Sequence, residues 1–171
     1  MHAFQAEFVR FSEATMHQVL GAIGVYVIWD SKADNIPTYI GEGEILSRFV
    51  ISHNAAFNPP LDGYITITGY KDQKVAEVKD AKEHAQILEA MILWIAEDTG
   101  RLPSVNRKQS GMTAVAKKLR KEDLLRVTLS GYDFFLNPAR SKKLDGDKKI
   151  IKIHDEGDGF LIEHKWRRLS S

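Results

Sequence analysis

The sequence predicts an α+β fold: a small antiparallel three-stranded sheet flanked by helices, extended at the C-terminus by a basic helix and a β-hairpin. Short runs of β-branched and aromatic residues at 25–29, 38–40 and 63–70 are bounded by turn-forming residues and predict the strands. Longer stretches at 44–53 and 80–99 predict helices by their apolar spacing or their stop signals. The order strand, strand, helix, strand, helix is typical of α+β proteins.

The first half of the chain supplies the sheet. Residues 4–11 predict an edge strand and residues 12–20 a short helix with Ser12 as its N-cap. Strands 25–29 and 38–40 are joined by the turn-forming segment DSKADNIP. Apolar residues at 45, 46, 49 and 50 share one helix face, which predicts the helix over 44–53. In the segment 63–70, GYITITGY, alternate residues face opposite sides, which predicts the third strand of the sheet.

The second half begins with the strongest helix, 80–99, which Gly100 and Pro103 end. A basic amphipathic helix is predicted over 113–125, and two strands within 148–166 are predicted to form a hairpin that turns at 157–159. We expect a boundary near residue 110, with residues 1–110 as one domain and 111–171 as its extension.

Charge is distributed unevenly along the chain, although the formal net charge is only +1. Residues 1–100 contain 7 Lys and Arg against 14 Asp and Glu, whereas residues 101–171 contain 17 Lys and Arg against 9 Asp and Glu. A basic half concentrates polyanions, so nucleic acid is a reasonable partner for the C-terminal part. The alternative is that the two halves attract each other.

Composition excludes several kinds of site. The chain has no cysteine, so it has no disulfide framework, thiolate zinc site or cysteine nucleophile. No apolar run is long enough to cross a bilayer, and the N-terminus lacks the pattern of an export signal. We therefore expect a soluble, cytoplasmic protein without a membrane partner.

Glu89 is the only ionisable residue in the apolar run ILEAMILWIA. A carboxylate in such surroundings must be paired, bound to a metal or protonated, because burying it alone costs several kcal/mol. The residues three and four positions away are Ala85, Gln86, Ile92 and Leu93, and none is basic. We expect a partner from elsewhere, such as a divalent cation or Arg48. The alternative is that Glu89 lies at the rim of the core with its head in water.

Two tyrosines are each flanked by a glycine two residues away: Tyr26 by Gly24, and Tyr39 by Gly41. Adjacent strands place the two phenols close together, and the glycines allow a phosphodiester or another backbone to approach. Phenols can hydrogen-bond a phosphate or hold a water molecule. The alternative is that both tyrosines belong to the core or to an interface.

These residues resemble a known family. The segments GVY (24–26) and YIG (39–41), separated by twelve residues, resemble the two signatures of the GIY-YIG nucleases, which are metal-dependent endonuclease domains. Arg48, Glu89 and Asn106 match the family's arginine on the helix after the second signature, glutamate on a later helix, and asparagine past that helix. The resemblance covers about residues 20–107.

The resemblance implies a role for each matching residue. Glu89 would ligate Mg²⁺ or Mn²⁺, with water and substrate completing the shell. Tyr26 would act as general base or position the attacking water, and Tyr39 would support that geometry. Arg48 would stabilise charge on the transferred phosphoryl group, and Asn106 would hold the loop or a phosphate. Because a phenol has a pKa near 10, Mg²⁺ and Arg48 would have to lower that of Tyr26, or a neighbour would take the proton onward.

Several features depart from the family pattern, and two of them concern residues near Arg48. Ser52 lies one turn after Arg48, where the family often has histidine or tyrosine. His53, a candidate catalytic proton acceptor, lies five residues after Arg48, about 140° around an ideal helix. Glu42 and Glu44 lie where a basic or neutral residue is more common. Either they cap the following helix or they repel DNA until a cation binds.

The function implied is a divalent-metal-dependent DNA endonuclease of the stand-alone restriction or mobile-element type, acting on double-stranded DNA and plausible as a homodimer. The alternatives are a DNA-binding or adaptor module that keeps the fold without turnover, and a structure-specific repair nuclease. The candidate nucleic-acid contacts are Gly41 and nine basic residues: Arg107, Lys108, Lys117, Lys118, Arg120, Lys121, Lys165, Arg167 and Arg168.

Overall fold

The fold is α+β, and a computed structural model describes it over residues 2–52, 56–108, 124–141, 143–155 and 160–168. Within these ranges the elements are β1 (His2–Arg10), α1 (Met16–Val19), β2 (Ala22–Trp29), β3 (Tyr39–Glu44), β4 (Asp62–Tyr70), α2 (Val75–Asp98), β5 (Leu124–Tyr132), β6 (Lys143–Asp155) and β7 (Phe160–Arg168). Three shorter helical segments are Phe11–Glu13, Leu46–Ser52 and Ser104–Lys108. None of the helices in the described ranges has the length and apolarity needed to cross a bilayer.

The described strands form one seven-stranded mixed sheet in the order β3-β2-β4-β1-β5-β6-β7. The predicted antiparallel trio is present as β3-β2-β4, but the prediction of a small three-stranded sheet is wrong in extent. The predicted edge strand β1 lies in the interior, antiparallel to β4 and parallel to β5. A parallel partner more than 100 residues away leaves no local signal in the sequence, which is why the wider sheet was missed.

The short helix near the N-terminus differs from the prediction. The hydroxyl of Thr15, not of Ser12, caps α1: its Oγ1 accepts a hydrogen bond from the Gln18 N–H at 3.3 Å, and the Gln18 side chain accepts one from the Thr15 N–H at 2.9 Å. The Ser12 hydroxyl instead donates to Asp62 on β4 at 3.3 Å. The predicted helix over 12–20 is therefore a 3-10 turn followed by one capped turn of α-helix.

Helix α2 begins five residues before its predicted start. The Glu77 carboxylate accepts a hydrogen bond from the Lys74 N–H at 3.0 Å and satisfies a donor at the helix start. The predicted stop is confirmed: Gly100 has φ +68°, and the Arg101 N–H donates to the Ala96 carbonyl at 2.7 Å.

Two cores lie on opposite faces of the sheet, and strand β2 contributes to both. Val25 and Val27 face α2, where they pack with Leu88 and Ile92. The alternate residue Tyr26 joins a second core on the other face, whose further members are Val19, Ala22, Ile28, Ile45, Phe49 and Ile65. All eight residues of β2 are buried, which places this strand at the centre of the fold.

The residues after β5 pack on the core beneath α2. The Trp29 Nε1–H donates to the carbonyl of Phe134 at 3.2 Å, and the Tyr64 hydroxyl donates to the carbonyl of Leu136 at 2.6 Å. Phe134 and Phe135 are buried in the same core as the α2 side chains. The boundary expected near residue 110 falls among residues outside the described ranges, and it stays a prediction.

The C-terminal elements match the sequence prediction in part. Strands β6 and β7 pair antiparallel from Asp147 opposite Arg168 to Asp155 opposite Phe160, as the predicted hairpin requires. Most of the predicted basic helix over 113–125 lies outside the described residues. Its last two positions, 124 and 125, begin strand β5, so the predicted end of that helix is wrong.

Candidate active site at the edge of the sheet

Pairing between β2 and β3 brings the two predicted tyrosines together. Tyr26 lies opposite Gly41, and Tyr39 lies opposite Ile28, so both phenols occupy the same face of the sheet. Their ring centroids are 6.1 Å apart. Tyr26 is buried, whereas Tyr39 is half-buried at the sheet edge. The predicted proximity of the phenols is therefore present.

Gly41 makes this arrangement possible. A Cβ at this position would lie 2.6 Å from Cε1 of Tyr39 and 2.7 Å from the hydroxyl oxygen of Tyr26. Both are shorter than a van der Waals contact, so the Tyr26 phenol can reach across β3 only over a glycine. The group that approaches Gly41 is thus a phenol of the same chain, and its contact with nucleic acid stays a prediction.

Gly24 has a different role from Gly41. A Cβ there would lie 1.9 Å from the carbonyl oxygen of Thr66 on β4. The sequence leaves two groups that could approach these glycines, a phosphodiester or another backbone. At Gly24 the group is the backbone of β4. The first signature glycine therefore allows strand pairing, and the second allows the phenols to meet.

Glu89 projects from α2, and its side chain is partly buried between Leu88 and Ala90, both buried. Burial, followed by repulsion from Glu42, raises the pKa of Glu89 to about 7. No basic residue within the described part of the chain forms an ion pair with it, so Arg48 is not its direct partner. The carboxylate therefore lies between the two predicted situations, neither fully buried nor freely solvated.

Glu42 is the carboxylate whose charge raises the pKa of Glu89. It lies opposite Val25, one of the residues that pack against α2, which places it on the face of β3 toward that helix. Its burial raises its pKa, while the charges of Arg48 and Lys82 oppose this shift. Glu44, by contrast, forms an ion pair with Lys71 at 2.9 Å. The two acids of YIGEGE thus have different surroundings, and only Glu42 belongs to the site.

Arg48 reaches the same site from the segment Leu46–Ser52, a π-helix rather than the predicted α-helix. Its Cγ lies 3.4 Å from the position that a Cβ on Gly43 would occupy. Its charge acts on both Tyr26 and Glu42. The side chain is exposed, and within the described residues it forms no ion pair. An exposed guanidinium without an ionic partner is suited to binding a phosphate.

The Tyr26 phenol is not prepared to lose its proton. Burial and then the neighbouring Tyr39 raise the pKa of Tyr26 well above its ordinary value of 10.0, and Glu89 and Glu42 add to this. Arg48 acts in the opposite direction but does not prevail. The pKa reduction expected from Arg48 is therefore not achieved by the protein's own groups, and Tyr26 stays neutral at ordinary pH.

Asn106 is buried and fixes the outer edge of β3. Its Nδ2–H donates to the carbonyl of Ile40 at 2.8 Å, and its Oδ1 accepts from the N–H of Ile40 at 3.0 Å. The amide thereby occupies the backbone groups that a further strand would otherwise pair with. Of its two predicted roles, holding a loop has structural support, because both contacts join the segment Ser104–Lys108 to the strand that carries Tyr39 and Gly41.

The remaining predicted residues either lie outside the described residues or are placed only by the backbone of their segments. His53, Lys117, Lys118, Arg120 and Lys121 lie outside the described residues. Arg107 and Lys108 lie in the segment Ser104–Lys108, and β7 carries Lys165, Arg167 and Arg168 opposite Ile150, Lys148 and Asp147.

Glu42 and Lys82 are not among the site residues that the resemblance implies, although each has a signal in the sequence. Residues 40, 42 and 44 alternate onto one strand face, which places Glu42 with the buried Ile40. Lys82 precedes Glu89 by seven residues, or about two helical turns, so both lie on one side of α2.

The donor set suits a hard divalent cation. Mg²⁺ is commonly held by one or two carboxylates, with water and phosphate oxygens filling the shell, and Glu89 with Glu42 offers two carboxylates that repel each other. In the described ranges, no three His, Cys, Asp or Glu residues gather as a metal site. Glu89 would be the principal protein ligand.

Comparisons of the chain with models of known protein families, with curated proteins and with solved structures found no match.

Proposed function

We propose that this protein is a divalent-metal-dependent DNA endonuclease of the GIY-YIG type, acting alone as restriction or mobile-element nucleases do. One observation carries the proposal: Tyr26 and Tyr39 meet across Gly41 at the edge of the sheet, and the charges of Arg48 and Glu89 both act on Tyr26. A phenol pair, an available guanidinium and a carboxylate with a raised pKa supply the groups that phosphodiester hydrolysis needs.

In this proposal each residue has a chemical task. Arg48 binds a non-bridging oxygen of the scissile phosphate and offsets the charge that develops there. Tyr26, which stays protonated, orients the attacking water by hydrogen bonding instead of removing its proton. Glu42, with its raised pKa, accepts that proton. A Mg²⁺ or Mn²⁺ ion on Glu89 would supply positive charge at the leaving oxygen.

DNA is the proposed substrate because the second half of the chain carries an excess of basic residues, which attract a polyanion. Residues 101–171 carry 17 Lys and Arg against 9 Asp and Glu, which is enough positive charge to hold a duplex without reading its sequence. Such binding weakens steeply with salt. A homodimer that cuts both strands is compatible with this proposal.

A second candidate is a DNA-binding or adaptor module without turnover. It is favoured by the raised pKa of Tyr26 and by the acid at Glu42, which opposes the approach of a phosphate. A third candidate, a structure-specific repair nuclease, uses the same site and differs in substrate. Comparing flap, branched and linear duplexes distinguishes it from a nuclease that acts on continuous DNA.

The decisive experiment is digestion of supercoiled plasmid with Mg²⁺, with Mn²⁺ and with EDTA. We expect nicked or linear products with either metal and none with EDTA. Glu89→Gln should reduce the rate at least about a hundredfold, because it removes the proposed metal ligand. Glu97→Gln is the matched control on the same helix: Glu97 is exposed, and its substitution should leave cleavage unchanged.

Cleavage that survives Glu89→Gln would reject the assigned mechanism. DNA binding by the wild-type protein without cleavage in either metal would instead favour the adaptor module.

A further inference from the structure

Lys82 is a cation beside the candidate site that the proposed reaction does not use. We propose that Lys82 binds a phosphate of the substrate DNA about three base steps from the scissile one, so that the exposed side of α2 guides the DNA strand to Glu89. This inference rests on the proposed endonuclease function and adds to it a substrate contact outside the five residues of the GIY-YIG resemblance.

Helical geometry places Lys82 on the same side of α2 as Glu89. Seven residues of α-helix turn about 20° short of two full turns and rise about 10 Å. Glu42 lies on β3 toward this helix and is influenced by Lys82 on one hand and by Arg48 on the other. The charges of the two cations therefore act on the same carboxylate, one from α2 and one from the π-helix.

Lys82 has no structural task that competes with phosphate binding. Its side chain is exposed, and it forms no ion pair within the described residues. The positions three and four residues away on α2 hold no acid: they are Val78, Lys79, Ala85 and Gln86. The ammonium group is thus available to an anionic ligand.

A cation near Glu42 helps a DNA phosphate to approach an otherwise acidic region. Residues 1–100 carry 14 Asp and Glu against 7 Lys and Arg, so the half that contains the site repels a polyanion overall. Glu42 and Glu89 add local repulsion. A phosphate can approach the site only where that repulsion is locally offset, and Arg48 and Lys82 are the cations whose charges act on Glu42.

The spacing distinguishes the two phosphate contacts. A rise of about 10 Å along α2 corresponds to about three base steps at 3.4 Å each along one DNA strand. A single phosphate therefore does not meet both Lys82 and Glu89. Lys82 contributes to binding, whereas Arg48 and Glu89 act on the reacting phosphate.

The test measures binding of a labelled DNA duplex in EDTA, where no cleavage occurs, over a range of NaCl concentrations. We expect Lys82→Ala to weaken binding about five- to tenfold and to reduce the slope of log K against log salt by about 0.9, the value for one lost phosphate contact. Lys82→Arg, which keeps the charge, should bind as the wild type does.

Lys79→Ala is the matched control. Lys79 is also an exposed lysine on α2, but Glu83 follows it by four residues, at the spacing of an intrahelical ion pair. We expect less than about a twofold change in affinity and no change in the salt slope. In Mg²⁺, Lys82→Ala should raise KM and leave kcat close to that of the wild type.

Two results would overturn the inference, and they are distinguishable. If the wild type binds and cleaves DNA and Lys82→Ala keeps its affinity and salt slope, Lys82 is not a substrate contact and the proposed function stands. If the wild type neither binds nor cleaves duplex DNA with either metal, the proposed function fails and the inference fails with it.

Discussion

At the scale of single residues, the site depends on Gly41 having no side chain. The Tyr26 hydroxyl oxygen lies 2.7 Å from the position that a Cβ would occupy, and Cε1 of Tyr39 lies 2.6 Å from it. The two phenols therefore have a defined arrangement before any ligand binds. A site prepared in this way does not have to spend binding energy on ordering its groups.

Glu89 makes folding stability depend on pH. Its pKa of about 7 in the folded protein lies above the ordinary value of 4.5, so between these values the folded state binds more protons than the unfolded state. The stability contribution of Glu89 is therefore greatest below the ordinary pKa. It falls as pH rises toward 7 and stays at its lowest value above that.

We predict that Glu89→Gln is more stable than the wild type at pH 8 by about 2 kcal/mol and nearly equal to it at pH 4, since glutamine carries no charge to bury. Denaturant unfolding at both pH values measures this difference. Adding Mg²⁺ at pH 8 should stabilise the wild type and leave the variant unchanged. Equal stability of the two proteins at pH 8 would contradict the raised pKa of Glu89.

At the scale of elements, strand β3 is an edge strand whose outer side is partly covered by a side chain. The amide of Asn106 makes both hydrogen bonds that a neighbouring strand would make to Ile40. Since Tyr39 and Gly41 flank Ile40, this contact determines the position of the second signature. Asn106 is therefore a positioning residue.

We predict that Asn106→Ala lowers the free energy of unfolding by about 3 kcal/mol, because it removes two buried hydrogen bonds and leaves the N–H and C=O of Ile40 unpaired. Hydrogen exchange at the Ile40 amide should become faster, while amides in the centre of β2 stay protected. Asn137→Ala is the control, since the Asn137 side chain donates to the Ala33 carbonyl at 3.0 Å, away from β3. Unchanged exchange at Ile40 would exclude the positioning role.

The elements that the sequence predicted well are those with local signals. Strands β2 and β3 pair through a connection rich in turn-forming residues, and Ile and Thr alternate within β4. Helix α2 has a glycine stop at Gly100. The interior place of β1 could not be predicted, because its partner β5 is more than 100 residues away and parallel. The π-helix could not be predicted either, because the sequence of Leu46–Ser52 has an ordinary helical pattern.

At the scale of the whole molecule, one sheet joins both halves of the sequence. The GIY-YIG resemblance named Tyr26, Tyr39, Arg48 and Glu89; the fold places the two tyrosines side by side, and the charges of Arg48 and Glu89 act on Tyr26. It did not name Glu42 or Lys82, because their relevance depends on how α2 lies against β3, and this is a property of packing. Motif residues can thus be proposed from sequence, whereas the charges around them require the fold.

Because one sheet joins both halves of the sequence, it also bears on whether residues 1–110 can fold without the rest of the chain. Without the rest of the chain, β1 loses its parallel partner β5, and the indole of Trp29 loses the carbonyl of Phe134. The core beneath α2 also loses Val127, Leu129, Phe134 and Phe135, all buried in the whole protein. Each of these buried side chains contributes about 2 kcal/mol or more, so the loss of all four is comparable with the whole stability of an ordinary domain, about 5 to 15 kcal/mol.

We therefore predict that a fragment of residues 1–110 does not unfold cooperatively, although it contains every residue of the GIY-YIG resemblance. Near-UV circular dichroism and denaturant unfolding, compared with the full chain, measure this. As a control for the core contact, Phe135→Ala in the full chain should retain a cooperative transition at a stability lower by about 3 kcal/mol. A cooperative transition in the fragment would show that residues 1–110 are an autonomous domain. The pairing of β1 with β5 would then be an addition to a complete fold, and the boundary expected from the sequence would be correct.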